Sequence, residues 1–335
     1  MLTVEELESE CDASRPVEQH KHAMDPPEMR FKKMFYPFGF PAEVRTNSTL
    51  VLDQYDQLWG QFNPLQDTEP IRCEVQLVDS DAAECPPAPS YRYMPPLFFA
   101  VADSDNYCVI DIDRRVARTV VSRAALRHPQ YAQYFLLGTP GCCISTGLAT
   151  PVHAACVTLN GHGVLLCGDS GAGKSTLAYA CARAGFTYVT DDMALLLHAD
   201  SPRMATGDCH KVRFRPAAAE LFPELVGLPI TPRAAGKPSV ELPTAPMTHI
   251  ACAQSTRIDF IVFLNRAAQG PRRLVPYRRD VARQFMRQVL FGPTASLRRQ
   301  YVAIEQLLTA EVLELRCSDL AWCVERLRAL VTDGQ

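Results

Sequence analysis

The residues with the clearest chemical purpose form one run, Gly168-Asp169-Ser170-Gly171-Ala172-Gly173-Lys174-Ser175-Thr176. Gly168, Gly173, Lys174 and Ser175 satisfy the pattern G-x-x-x-x-G-K-[ST]. Its glycines let backbone N–H groups close around phosphate oxygens at a helix N-terminus. In that pattern Lys174 reaches the β- and γ-oxygens, and the Ser175 hydroxyl ligates Mg2+. The apolar stretch Val164-Leu165-Leu166-Cys167 precedes the run, and a helix-compatible stretch follows it, which is the context such a loop requires. The expected ligand of residues 168–176 is therefore a nucleoside triphosphate, ATP with Mg2+.

A phosphate loop does not say what is done with the nucleotide. Asp191-Asp192 narrows the question, because it closes the apolar stretch Phe186–Thr190. A short strand-loop-helix-strand unit returns that strand end to the side of the phosphates. Two carboxylates there could bind Mg2+ and accept a hydroxyl proton, both of which phosphoryl transfer needs. A solvated pair capping a turn is the plainer reading. Lys211, Arg213 and Arg215 alternate as they would on one face of a strand, either beside the phosphates or on a solvated edge. Lys237 and Glu241 lie in a loop that could fold over the site, and Arg266 stands at a strand end. Arg272-Arg273 and Arg278-Arg279 read as a charged surface.

The elements that must position these groups can be read from spacing. Residues 155–159 and 164–167 flank Asn160-Gly161, a strong hairpin signal. Residues 175–184 read as a helix closed by Gly185 at the left-handed cap position. Residues 258–265 form a nearly continuous apolar run, as a central buried strand should. Val281, Phe285 and Val289 repeat at helical spacing, as do Leu320, Val324, Leu327 and Val331.

Earlier in the chain, PFGFP at 37–41 reads as a turn, and residues 46–48 as the cap of a helix ending near Trp59. Residues 73–78 alternate like a half-buried strand, and FFAVAD and YCVIDID are two more strand candidates. The proline-rich stretch 85–96 reads as an irregular connection. The expected organisation is a flexible tail over 1–33, an α+β domain with several antiparallel strands over 34–150, and an α/β nucleotide-binding domain over 151–335.

Residues 152–196, VHAACVTLNGHGVLLCGDSGAGKSTLAYACARAGFTYVTDDMALL, resemble the catalytic core of the HPr kinase/phosphorylase family. His153, Gly168 to Thr176, Asp191 and Asp192 fall in order on that family's histidine, GxSGxGKS loop and paired aspartate. The resemblance implies a fold akin to ATP-dependent phosphoenolpyruvate carboxykinase and ATP-dependent phosphorylation of a serine hydroxyl. It implies that one aspartate is the base. Asp191 is given that role and Asp192 a metal or orienting role, with the reverse assignment open. His153, weak evidence by itself, would sit near the transferred phosphoryl group.

The bifunctional members carry a signature of the form E-I-R-G-x-G after the aspartates, and residues 209–225 contain nothing like it. Phosphorolysis and recognition of HPr itself are thus not expected. The chain is more similar to the divergent HPr-kinase-related proteins, and the expected acceptor is a peptide, a small protein or a small hydroxylated molecule. A non-catalytic ATP-binding switch is the alternative.

Composition sets the outer limits. The chain has 335 residues, 47% hydrophobic and 21% charged, as in a folded globular protein. Its net charge of −3 excludes a globally basic, nucleic-acid-coating protein. No apolar run approaches the ~20 residues of a membrane-spanning helix, and the charged N-terminus lacks a signal-peptide core. The 13 cysteines are scattered without a Cys-x-x-Cys pair. Several, including Cys156, Cys167, Cys181 and Cys252, lie in apolar stretches as small core hydrophobes. A cytoplasmic, reducing location is expected, and a homo-oligomer is plausible.

Overall fold

The computed structural model describes residues 28–79, 84–198, 202–231, 238–245, 247, 249–266 and 270–333. Most of the expected tail, residues 1–27, lies outside the described residues, as does Lys237. The rest of that tail runs directly into a strand.

The first half builds one seven-stranded sheet. Its elements are β1 (Phe31–Phe35), β2 (Ala42–Thr46), α1 (Thr49–Trp59), β3 (Ile71–Val78), β4 (Ser90–Met94), β5 (Leu97–Asp103), β6 (Asn106–Asp111) and β7 (Val116–Ser122). Short helical turns then fill 123–148. The strand order is β1-β2-β3-β7-β6-β5-β4. Antiparallel pairs dominate its two sides, but β2, β3 and β7 pair in parallel, so the sheet is mixed rather than antiparallel. Within the proline-rich stretch, Ser90–Met94 forms the edge strand β4, where flanking prolines cost no ladder bonds. Ser48 caps α1 by accepting from the Leu50 N–H, as the sequence implied.

The second half contributes β8 (Ala149–Val152), β9 (Ala154–Leu159), β10 (His162–Cys167), α2 (Lys174–Arg183), β11 (Thr187–Thr190), β12 (Ala194–Leu197) and β13 (Met204–Thr206). Next come β14 (Lys211–Phe214), β15 (Ile230–Thr231), β16 (Ser239–Pro243), β17 (Ser255–Asn265) and β18 (Arg273–Pro276). The chain closes with α3 (Arg279–Arg287), α4 (Thr294–Leu307), β19 (Glu311–Arg316) and α5 (Leu320–Asp333). Strands β14, β16 and β15 form a small sheet of their own, and the others make a nine-stranded sheet. Because β8 spans 149–152, it straddles the boundary drawn at 150/151. Two large sheets and one small one in a mixed α/β arrangement are the observed fold class.

β17 is the spine of the larger sheet. Its first three residues pair with β13, and the remainder runs parallel to both β10 and β19. Such a strand is apolar on both faces over most of its length, which explains its nearly continuous hydrophobic run. Close approach is obtained at Gly163, where the register shifts. A Cβ there would stand 2.3 Å from the Arg257 carbonyl oxygen.

The hairpin signal is met, with Asn160 and Gly161 both at positive φ. At the end of α2 the Gly185 and Phe186 N–H groups bond to Ala182 and Cys181 carbonyls, a Schellman closure. Eight of the described cysteines are buried, including Cys156, Cys167 and Cys181, whereas Cys252 is exposed despite its apolar neighbours. Among the described residues, no helix is long and apolar enough to cross a membrane.

Two neighbouring glycines separate space from backbone freedom. Gly163→Ala should cost about 2–3 kcal/mol through overpacking against β17. Gly161→Ala, with nothing within 4 Å of the new Cβ, should cost only about 1 kcal/mol for its positive φ. Urea unfolding of the two variants checks this, and equal losses would refute the close-approach argument.

Candidate functional site

The phosphate loop leaves β10 at Gly168 and feeds α2, which begins at Lys174. Gly171 and Gly173 hold φ values of 93° and 98°, which an L side chain rarely adopts. Gly168 is tight in another way, since a Cβ there would lie 2.9 Å from the Ala172 side chain. The first N–H groups of α2 have no acceptors within the helix, so they face the loop's hollow. Lys174 is 7% exposed and donates to the Gly168 and Asp169 carbonyls at 2.7 and 3.2 Å. Burial pulls its pKa down, against the nearby charge of Asp192.

Ser170, Gly171, Gly173, Lys174, Ser175 and Thr176 line a cavity of about 670 Å3. Gly168, Asp169 and Ala172 do not line it: Ala172 faces a smaller neighbouring cavity, and the Gly168 and Asp169 carbonyls hold Lys174. His153, Asp191, Asp192, Arg213, Arg215 and Arg266 line the same cavity, so the separate sequence candidates converge on one space. His153 occupies the single-residue break between β8 and β9. Asp191 and Asp192 form the tight turn between β11 and β12, which the Thr190 hydroxyl closes on the Met193 carbonyl at 3.1 Å. Arg215 donates to Ser170 at 2.9 Å, and Arg266 sits beside Gly173.

Helix α2 also carries the basic strand. Its buried Tyr179 packs edge-on to Phe214 and Phe222 at 5.2 and 4.9 Å. Val212 and Phe214 thereby face the core, and alternation turns Arg213 toward the cavity. Arg213 bonds Glu241 through Nε at 3.2 Å and lies 4.4 Å over the Tyr134 ring. Lys211 instead lines a neighbouring space, within 3.9 Å of Asp208 and Glu241.

The two aspartates differ sharply. Asp191 is 6% exposed and accepts from the Tyr188 hydroxyl at 3.1 Å and the Arg213 backbone N–H at 3.0 Å. Burial pushes its pKa up to about 7, and Asp192's charge adds to this. The Arg213 N–H and the Ser175 and Tyr188 hydroxyls oppose the rise. Tyr188 also lies 3.0 Å from the Lys211 carbonyl. A phenol has one proton, so both contacts are satisfied together only when Asp191 is protonated and donates to the phenol oxygen. Asp192 has a side chain 56% exposed, with Oδ1 3.4 Å from His153 Nδ1 and Oδ2 4.0 Å from Arg213. His153 is pushed toward its neutral form by burial and by Lys174, with Asp192 opposing.

Tyr188 and Tyr134 were not among the sequence candidates. Tyr188 reaches Asp191 because β11 carries a bulge, in which Tyr188 opposes Val157 and Thr190 opposes Cys156. The extra residue Val189 puts Tyr188 and Asp191 on one side, contrary to simple alternation. No signal in the sequence marks that bulge.

Phosphate loop, basic strand, histidine and paired carboxylates thus surround one cleft. Residues 146–215, from the last helical turn before β8 to the end of β14, match the family described as HPr Serine kinase C-terminal domain. The match falls on the segment that carries the sequence resemblance to that family. Among solved structures the chain is similar to the Hpr(Ser) kinase/phosphatase from Coxiella burnetii. Identity is 13% over 55% of this chain and 99% of that one, with a TM-score of 0.31, a likeness too slight to carry argument. No curated protein matches the chain.

The raised pKa of Asp191 ties stability to pH. Below about 3.8 the carboxyl is protonated folded or unfolded and exacts no penalty. Between 3.8 and about 7 the unfolded chain ionises first, so the folded state loses ground, and above 7 the loss is constant. In EDTA, Asp191→Asn should gain on wild type as pH rises from 5 to 8, by about 2–3 kcal/mol. Parallel urea-unfolding profiles at the two pH values would contradict this assignment.

Proposed function

We propose that the chain is an ATP-dependent hydroxyl kinase of the HPr-kinase type, phosphorylating a serine-like hydroxyl on a peptide, small protein or small hydroxylated molecule. The observation that carries this reading is the common cavity: phosphate loop, His153, Asp191 and Asp192 face one space of about 670 Å3. A buried carboxyl beside the phosphate loop, positioned by Tyr188 and the Arg213 N–H, is placed to serve as a general base, which a nucleotide-binding switch does not require. A fold of the phosphoenolpyruvate carboxykinase type is part of the same proposal.

In this reading residues 168–176 cradle the triphosphate, with Lys174, Arg215 and Arg266 balancing charge on the phosphoryl oxygens. Asp191 takes the acceptor's proton as the hydroxyl oxygen bonds to the γ-phosphorus. The bond to the β,γ-bridging oxygen breaks and ADP departs. His153, held near Asp192, stays close to the phosphoryl group in transit.

The oxygen donors present suit Mg2+, which takes few protein ligands and shares the rest with phosphates and water. The Ser175 hydroxyl and the Asp192 carboxylate would hold it, and it would neutralise charge on the β- and γ-oxygens. Segments 34–150 and 151–335 are proposed as an acceptor-side and a nucleotide-side domain, and the location as cytoplasmic.

Transfer of label from γ-labelled ATP tests the proposal, with fractions of the source cell's lysate as acceptors. Asp191→Asn should lower kcat roughly a hundred- to ten-thousandfold while ATP affinity stays within about threefold. Asp192→Asn should raise the Mg2+ concentration for half-maximal activity. Exchange of the two phenotypes would swap the roles, and undiminished turnover by Asp191→Asn would sink the assignment of the base.

A further inference from the structure

The acceptor must reach Asp191 by some route, and the structure contains a candidate. Asp191, Asp192 and Arg213 line not only the phosphate cavity but also a second cavity of about 220 Å3. That cavity shares Leu58, Gln130, Gln133, Tyr134, Lys211 and Glu241 with a trench of about 1050 Å3. The phosphate cavity, this second cavity and the trench therefore adjoin in series, each sharing wall residues with the next. One wall of the trench is the end of α1 with the helical turns around 127–135, all from the N-terminal half. The other comprises Asp208, His210 and the starts of β14 and the middle of β16. The walls are tied together: Phe62 packs edge-on to His210 at 4.8 Å, and Asn63 exchanges two hydrogen bonds with Gln254.

The chemistry of the trench differs from that of the phosphate cavity. Arg127 and Lys211 share the lining with Asp208 and Glu241, Lys211 standing 3.9 Å from both carboxylates, so the formal charges of the trench balance. A multiply charged metabolite finds no field there to hold it. What the trench offers is carboxamides, which donate and accept as a peptide backbone requires: Gln61 and Gln130, with Gln57 and Gln133 beside them, where Gln133 Nε2 already donates to Gln54 and to Gln57 Oε1. Pro86, Pro87, Tyr131 and Phe135 add apolar wall. Tyr134 lines both the second cavity and the trench, and the Arg213 guanidinium 4.4 Å over its ring marks the neck toward the phosphate cavity.

Resting on the kinase reading above, we propose that this trench is the acceptor site. Its occupant is an extended polypeptide segment that passes a serine or threonine through the neck to Asp191. The N-terminal half then serves as a recognition wall, and Gln57 and Gln130 contact the acceptor without touching the reacting atoms.

The test uses the full-length chain, γ-labelled ATP, a degenerate serine-containing peptide library and, separately, free serine. Gln57→Trp and Gln130→Trp fill the trench from exposed positions and so leave the fold intact, which circular dichroism verifies. For the best library peptide, KM should rise at least tenfold in each variant, with kcat at saturation changed less than twofold. Unchanged KM in both variants overturns the trench as acceptor site and leaves the kinase reading standing. Transfer to free serine but to no peptide overturns the polypeptide occupant in the same way. Absence of transfer to any acceptor, lysate fractions included, defeats the kinase reading and this inference with it.

Discussion

A carboxyl group withdrawn from water is costly unless other donors replace its hydration, and the cost shapes everything packed around it. Asp191 is such a group. Its replacements come from three different elements: the Tyr188 hydroxyl on β11, the Arg213 N–H on β14 and the Ser175 hydroxyl on α2. Each bond fixes an element relative to the others. The β-bulge of β11, the approach of the small sheet and the phasing of α2 against the sheet are thus linked through one side chain. Asp192, one residue on, escapes that constraint and stays largely in solvent, so two identical residues in sequence become chemically unlike.

The frame behind this arrangement is hydrophobic and largely local to α2. Tyr179, Phe214 and Phe222 lock the small sheet onto the helix that begins at the phosphate loop. Arg213 and Arg215 consequently ride on the same body as Lys174 and Ser175. Beneath them, β10 and β17 lie close because Gly163 has no side chain to hold them apart. A cluster of cations over a phosphate site would repel itself if it were free to move. Here Arg213 is restrained by Glu241 and Tyr134, and Arg215 by Ser170.

What the sequence disclosed follows the range of the interactions involved. The phosphate loop, the Asn160-Gly161 hairpin and the Gly185 cap are set by neighbours a few positions away, and all three stand where the residues implied. The convergence of the loop and the paired aspartates was legible because a short strand-loop-helix-strand unit leaves few ways to connect them, whereas His153 was placed there only by the family resemblance. The Tyr188–Asp191 contact was not legible, since alternation separates those residues and only an unmarked bulge reunites them. Tyr134 over Arg213 joins the two halves of the chain, and nothing in the local pattern of either residue signals the other. The edge strand β4 hid among prolines for a related reason, because an edge tolerates what a central strand forbids. Cys252 shows the limit of reading burial from apolar neighbours alone.

The topology of β17 also governs how the chain reaches this state. Gly163 pairs beside Ile258, and β19 joins from still farther along the chain, so the central contacts link distant segments in parallel. Such pairings return no energy until long loops have closed, which makes them late events and slow ones. The hairpin of β9 and β10, with α2 behind it, can form early from local contacts, yet it must wait for β17 to cover its open edge. Until then the most apolar strands of the protein present unpaired N–H and C=O groups to their surroundings. The step that exposes this chain to misassociation is therefore the docking of β17, well after the phosphate loop has taken shape.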